Sequence, residues 1–239
     1  MKITQHGANL TKLTQLGMFN SYLVREADGL TLIDSGMGGA GKAIAAAAES
    51  LGAPIVRLAL THAHADHIGS LAELHAALPD AVVAVGEREA RFMAGDFSID
   101  ADEPQAKLRG GYAASPVQPT RLLRDGDTLG SLRVVAAPGH TPGQIAFFDP
   151  RDGTLIAGDA LQTAGGLAVA GVLRIFFPFP ALATWHGPTA LATAERLRAL
   201  RPARLAVGHG AVIEQPEAML DNAIAVARRK FGAEQAYGA

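Results

Sequence analysis

The chain has 239 residues, 49% of them hydrophobic, enough to bury a full core in one large domain and too apolar for a disordered chain. Its 21 basic and 23 acidic side chains give a formal net charge of -2, and the one basic cluster, Arg228-Arg229-Lys230, reads as the solvated end of a C-terminal helix, so no nucleic-acid partner is expected. There is no cysteine, which excludes disulfides and thiolate metal sites and leaves histidine and carboxylate as the only strong metal donors.

The first five residues lack the apolar stretch of a signal peptide, and no segment is long and apolar enough for a membrane span, so a cytoplasmic location is expected. Residues 21–24 and 30–33 read as strands joined by a turn at Ala27-Asp28-Gly29. An Ala-rich helix is predicted over 42–51, a buried strand over 56–60, a helix over 68–78 stopped by Pro79, and another buried strand over 81–85. Residues 87–115 begin with helical character and are broken at Gly110-Gly111 and Pro116, and they read as a surface insertion. Strand-like runs then crowd together at 121–123, 132–136, 144–148 and 154–157. A helix over 189–200, a strand over 205–207 and a closing helix over 216–230 complete the chain. Strands cluster with and without intervening helices, which predicts an α+β protein of mixed sheets covered by helices. No low-complexity linker or repeat divides it, so a single domain over 1–239 is expected.

Three of the eight histidines fall within six residues, in His62-Ala63-His64-Ala65-Asp66-His67. The cluster follows an apolar strand and precedes a helix, so it lies on a loop at a strand's carboxyl end, where ligands commonly bind. Imidazoles and a carboxylate suit zinc and neighbouring first-row metals, iron and manganese included. The motif supplies more ligands than one open site would use, which points to two metals. His6 and His75 lie outside this pattern. His186, beside Trp185, is open to a substrate role or to that of a partly buried loop histidine.

His62-X-His64-X-Asp66-His67 resembles the signature of the metallo-β-lactamase superfamily. The rest of that family's pattern follows in order: Pro138-Gly139-His140-Thr141-Pro142-Gly143 is similar to its second histidine loop, Ala157-Gly158-Asp159 to its strand-end aspartate, and Val207-Gly208-His209-Gly210 to its last histidine loop. The resemblance implies an αββα sandwich of two mixed β-sheets flanked by helices, with the metals at one edge. It also implies that His62, His64 and His140 hold a first metal ion and that Asp66, His67 and His209 hold a second. Asp159 would bridge both together with a water or hydroxide, so that Asp66 and Asp159 would be the catalytic carboxylates. Asp34, after Leu32-Ile33, resembles a strand-end aspartate of the family near the metals. Support of a ligand histidine and simple turn-capping both remain open for it, and Thr61 has the same two roles open.

Departures from individual branches narrow the expected reaction. Only residues 210–239 follow His209, too few for the C-terminal domain of glyoxalase II. Gln162 stands where the homoserine-lactone-cleaving lactonases have a tyrosine, the β-lactamases with a cysteine ligand are excluded, and Asp159 counts against the all-His/Asp β-lactamases. Residues 164–185 hold Phe176, Phe177, Phe179 and Trp185 among prolines, and they read as a wall for an apolar substrate, a core plug or a subunit interface, which leaves a homodimer open. With His186 these four are the candidate substrate-binding residues. The expected function is therefore hydrolysis of a small-molecule carboxylic ester, thioester or lactone with an apolar part. Alternatives are β-lactam hydrolysis and an iron-dependent sulfur dioxygenase-type reaction.

Overall fold

The computed structural model describes residues 1–236, with side chains through residue 232. Seven strands form one sheet in sequential order: β1 (Lys2–His6), β2 (Leu10–Gln15), β3 (Phe19–Glu26), β4 (Gly29–Ile33), β5 (Ile55–Ala59), β6 (Val82–Gly86) and β7 (Arg121–Leu123). The first four pair antiparallel and β4 to β7 pair parallel. The second sheet contains β8 (Thr128–Leu129), β9 (Leu132–Ala136), β10 (Ile145–Asp149), β11 (Thr154–Ile156), β14 (Arg204–Ala206) and β15 (Ile213–Glu214), in the order 15-14-11-10-9-8. The short strands β12 (Leu161–Gln162) and β13 (Ala168–Val169) pair only with each other. Both large sheets are mixed, since β11 and β14 pair parallel among otherwise antiparallel neighbours.

Alternation along the strands explains the layering. In β3, Tyr22 and Val24 face the second sheet while Leu23 faces outward; in β5, Ala59 faces inward and Leu58 outward. The inward set meets Val134, Phe147 and Ile156 of the second sheet. Outward residues of the first sheet are covered by α1 (Gly41–Ser50), α3 (Leu71–Ala77) and α4 (Glu87–Met93). After a short helix α5 (Phe179–Leu182), those of the second sheet are covered by α6 (Gly187–Ala199) and α7 (Glu217–Ala236). The result is the expected αββα sandwich. No helix among the described residues is long and apolar enough to cross a membrane.

Three local expectations need correction. The hairpin β1–β2 was not predicted, because in β2 Thr11 and Thr14 are buried alongside Leu10 and Leu13 and blur the polar alternation. The single helix predicted over 68–78 is two, α2 (Ala65–Ile68) and α3, because the intervening turn is bonded to the loop after β4. There Gly69 N donates to Gly36 O, and Ser70 Oγ donates to Met37 O and accepts from Ala40 N. The insertion after α4 is not merely surface, since it reaches the candidate site.

Candidate metal centre

Every candidate ligand sits just beyond the carboxyl end of a strand. His62 and His64 follow β5, and Asp66 and His67 begin α2. His140 follows β9, Asp159 lies in the 3-10 turn Gly158–Ala160 after β11, and His209 follows β14. Because β9 and β11 both run antiparallel to β10, and β14 runs parallel to β11, these three strands point the same way. Their loops therefore emerge at one edge of the second sheet. The first sheet meets them there through β3: Tyr22 Oη donates to Val207 O (2.6 Å) and accepts from Val207 N (3.0 Å). Asn20 Nδ2 donates to Val207 O and Gly210 O, which clamps the His209 loop to β3.

The structure brings all seven residues together in three overlapping groups, His62/His64/His140, His62/His67/Asp159 and Asp66/His67/His209, with ligand atoms within 4.8 Å of one another in each. Asp159 links the outer two groups. Its carboxylate lies 3.5 Å from His140 Nε2, 3.5 Å from His67 Nε2 and 3.1 Å from His209 Nε2. Asp66 Oδ2 lies 3.3 Å from His209 Nε2, and His140 Nε2 lies 3.0 Å from His64 Nδ1.

The outer nitrogen of each imidazole has a fixed partner, and those partners set the tautomers. Thr61 Oγ1 gives its proton to Asp34 Oδ2 (2.8 Å), so it accepts from His62 Nδ1 (3.0 Å). Thr184 Oγ1 likewise donates to Pro180 O and accepts from His140 Nδ1 (3.2 Å). His67 Nδ1 donates to Asp34 Oδ2 (2.8 Å), His64 Nε2 to Arg109 O (3.0 Å) and His209 Nδ1 to Met18 O (3.1 Å). In every case the remaining nitrogen is aimed inward. Of these inward atoms, His62 Nε2, His67 Nε2 and Asp159 Oδ1 are buried with no hydrogen-bond partner. A buried polar atom left unpaired costs about 1–3 kcal/mol, so three converging on one point mark a place for cations. Hard and borderline divalent ions suit this all-nitrogen-and-oxygen donor set.

Electrostatics divide the site in two. Burial drives His62 well below the ordinary histidine range, His64 down to about 4 and His140 down to about 3, so these three are neutral near pH 7. Burial also opposes charge on His67 and His209, but the Asp159 carboxylate outweighs it. His67 is raised well above its usual value and His209 is pushed up to about 9. Against the cost of burial, the nearby histidines hold Asp66 down at about 2 and Asp159 well below the carboxylate range. One side of the centre is thus a neutral imidazole set, and the other carries two carboxylates and two cationic rings.

Asp34 and Thr61 lie directly behind two of the candidate ligand rings. Asp34 is buried at φ 59°, takes the backbone N of Thr61 at 2.7 Å, and so orients both His67 and, through Thr61, His62. A non-glycine residue with positive φ at a site edge is strain held by its surroundings. Sequence reasoning missed several contributors. Gly110, φ 95°, lets the insertion press on His64, where any Cβ would collide with the ring. Gly208 is equally constrained, since a Cβ there would strike the Asp159 carboxylate. Glu89 is wholly buried beneath the ligand loops, and burial pushes its carboxyl up to about 7.

A cavity of about 320 Å³ opens on the centre. It is lined by His64, Asp66, His140, Asp159 and His209, by Gly110 and Gly111 of the insertion, and by the apolar residues Phe179, Pro180, Leu182 and Ala183. Of the five candidate substrate residues, only Phe179 lines it. Phe177 is buried, its ring 5.2 Å from His209 and 5.5 Å from Phe179, so it backs the wall without facing the space. Phe176 is 91% exposed and lies outside the lining. Trp185 is buried because its indole N–H finds Ala106 O at 3.1 Å, and its backbone N donates to His140 O. His186 caps α6, accepting from Thr189 N. Trp185 and His186 therefore lie behind the His140 loop and outside the lining of this cavity, whereas the expectation placed Trp185 on the wall and left His186 open between a substrate role and that of a loop histidine. Leu182, which sequence reasoning did not single out, takes that place.

Comparison with known proteins agrees with this geometry. The Bacillus subtilis (strain 168) protein YobT is 44% identical over 232 residues, covering 96% of this chain and all of its own. Acyl-coenzyme A thioesterase MBLAC2 of Gallus gallus is 29% identical over 160 residues, 59% of this chain and 57% of its own. The crystal structure of TTHA1623 in a di-iron-bound form superposes with a TM-score of 0.63 at 30% identity, covering 86% of this chain and 94% of that one. Residues 15–209 match the metallo-beta-lactamase superfamily, and the chain belongs to that family.

Proposed function

We propose that the protein is a two-metal hydrolase of carboxylic esters, thioesters or lactones that carry an apolar part. The observation that carries this reading is the pairing, in one cavity, of a His/Asp cation site with an apolar wall of Phe179, Pro180, Leu182 and Ala183. Acyl hydrolysis needs both at once: polar groups where charge develops on the carbonyl, and an apolar surface for the chain attached to it.

His62, His64 and His140 would hold one ion, Asp66, His67 and His209 the other, and Asp159 would touch both. Zinc is the expected metal, and iron and manganese suit the same donors. When bound, two divalent ions polarise a carbonyl and make water acidic enough to attack near neutral pH. Asp34, Thr61, Thr184, Arg109 O and Met18 O fix the rings, so the ligand atoms need little reorganisation. Asp66 and Asp159 both line the cavity, and Asp66, with 28% of its side chain exposed against 3% for Asp159, is the more open carboxylate and so the better placed to take a proton from water there. Phe179 and Leu182, 65% and 60% exposed, offer their open faces to the acyl group. The thioester arm gains support from the relative in Gallus gallus that is named an acyl-coenzyme A thioesterase.

The test is a substrate panel on metal-analysed protein, with esters and thioesters of increasing chain length, lactones, a β-lactam, a phosphodiester and a persulfide. Hydrolysis of acyl substrates that improves with chain length is expected. Turnover of the β-lactam alone, or oxygen consumption with the persulfide on an iron-loaded protein, would replace the reading.

A further inference from the structure

One buried carboxylate is not used by the chemistry above. Glu89, in the first turn of α4, is fully buried, and its neighbour Arg88 makes no hydrogen bond or ion pair to it: the Arg88 guanidinium bonds Glu103 and lies over the Phe92 ring. What Glu89 touches instead is backbone and hydroxyl on two separate loops. Its Oε2 accepts from Ala63 N at 2.9 Å, and its Oε1 accepts from Thr141 Oγ1 at 2.5 Å and Gly143 N at 3.0 Å.

Ala63 is the residue between His62 and His64, and Thr141 follows His140. The two loops come from different sheets, one after β5 and the other between β9 and β10. A single carboxylate on a third element therefore ties together the peptides that carry His62, His64 and His140, the three-histidine group. It makes no hydrogen bond to the loops of Asp159 and His209, nor to Asp66 or His67.

We infer that Glu89 is a positioning residue that sets the spacing of the three-histidine metal site and leaves the Asp66–His67–His209 site unaffected. The inference rests on the two-metal reading above. Three donors converge on two oxygens, so the site needs acceptors on both sides, and only a carboxylate supplies them. A glutamine of the same size has one oxygen and one amino group, so it meets either Ala63 N–H or the Thr141 and Gly143 donors with a donor of its own. One of the two loops must then move.

The test uses the full chain, stripped by a chelator and titrated with zinc against a chromophoric competitor, in the wild type, Glu89→Gln and Thr141→Val. The wild type should take two ions. In Glu89→Gln one ion should bind with wild-type affinity and the other 10- to 100-fold more weakly, the range for loss of a group that orients a metal ligand. Thr141→Val removes one of the three donors at nearly constant volume and should weaken the same ion by a smaller factor; it carries the test if Glu89→Gln does not fold. A cobalt titration followed by visible absorption should show one site losing occupancy first. Two ions held as tightly as in the wild type, or both weakened equally in a folded variant, would overturn the role assigned to Glu89. A wild type that never takes a second ion would instead overturn the two-metal reading, and it would be seen before any variant is made.

Discussion

Phe179→Ala separates an acyl-binding wall from a structural ring. Phe179 is 65% exposed in the free protein, so of the roughly 200 Å² that an aromatic side chain offers, about 130 Å² is open to be covered by a ligand. An acyl chain lying along one face covers about half of that, and at about 25 cal/mol per Å² the lost contact is about 1.6 kcal/mol. That energy corresponds to a drop of about 15-fold in kcat/KM. The ring faces the cavity but is not among the groups at the reacting carbonyl, so the contact is shared by ground and transition states and the loss should fall on KM. The assay is a series of nitrophenyl esters from acetyl to decanoyl, with matching thioesters. The deficit should be near zero for acetyl and should reach its full size once the chain spans the ring. Phe177→Ala is the contrast, because Phe177 is buried against His209. It should lose activity at all chain lengths and destabilise the fold by about 3 kcal/mol. An equal loss for Phe179→Ala at every chain length, or a loss confined to kcat, would refute the acyl wall.

Asp34→Asn keeps a residue that tolerates φ 59° but turns one of the oxygens facing Thr61 and His67 into a donor. Metal affinity should fall 10- to 100-fold in a folded protein, and unchanged retention in a chelator competition would leave Asp34 as a turn cap only. Asp159→Ala should abolish metal-dependent activity while His75→Ala, outside the three ligand groups, keeps it; equal activity of the two with metal content intact would remove Asp159 from the site. In the metal-free protein, Asp159 keeps His67 and His209 protonated near neutral pH, with His209 at about 9, whereas burial keeps His62, His64 and His140 neutral. An ion entering beside His67 and His209 must displace those protons, so its affinity should rise as pH rises from neutrality through about 9, while the ion at the three histidines should be insensitive to pH around neutrality. Calorimetry in buffers of different ionisation heat checks this, and uptake of both ions without proton release would contradict it.

The candidate ligands could be picked out because metal chemistry restricts residue type. Few loops combine histidines and an aspartate as residues 62–67 do, and the later ligands each follow a glycine at a strand end. The layered architecture was legible for a similar reason, since runs such as residues 56–60 have few places to go but a sheet interior. What stayed hidden acts through distance or backbone. Tyr22 and Asn20 look like ordinary strand residues until they meet Val207, far away in sequence. Arg109 contributes a carbonyl, which no side-chain pattern announces. Glu89 has the appearance of an acidic residue favoured at any helix start, and only the packed structure shows three donors around it. Within the aromatic segment, composition cannot say which ring faces a cavity. Trp185 turned inward to satisfy its indole N–H, and aliphatic Leu182 took a place on the wall.

The two-metal hydrolase reading is tested most directly by counting ions and activity together. Protein freed of metal by a chelator is given zinc in steps, and bound zinc per chain is measured by elemental analysis alongside hydrolysis of a medium-chain thioester. The account predicts saturation close to two ions per chain, with activity absent in the metal-free protein and complete only as the second ion binds. Saturation at one ion or fewer in excess zinc, or full activity surviving complete metal removal, would contradict it.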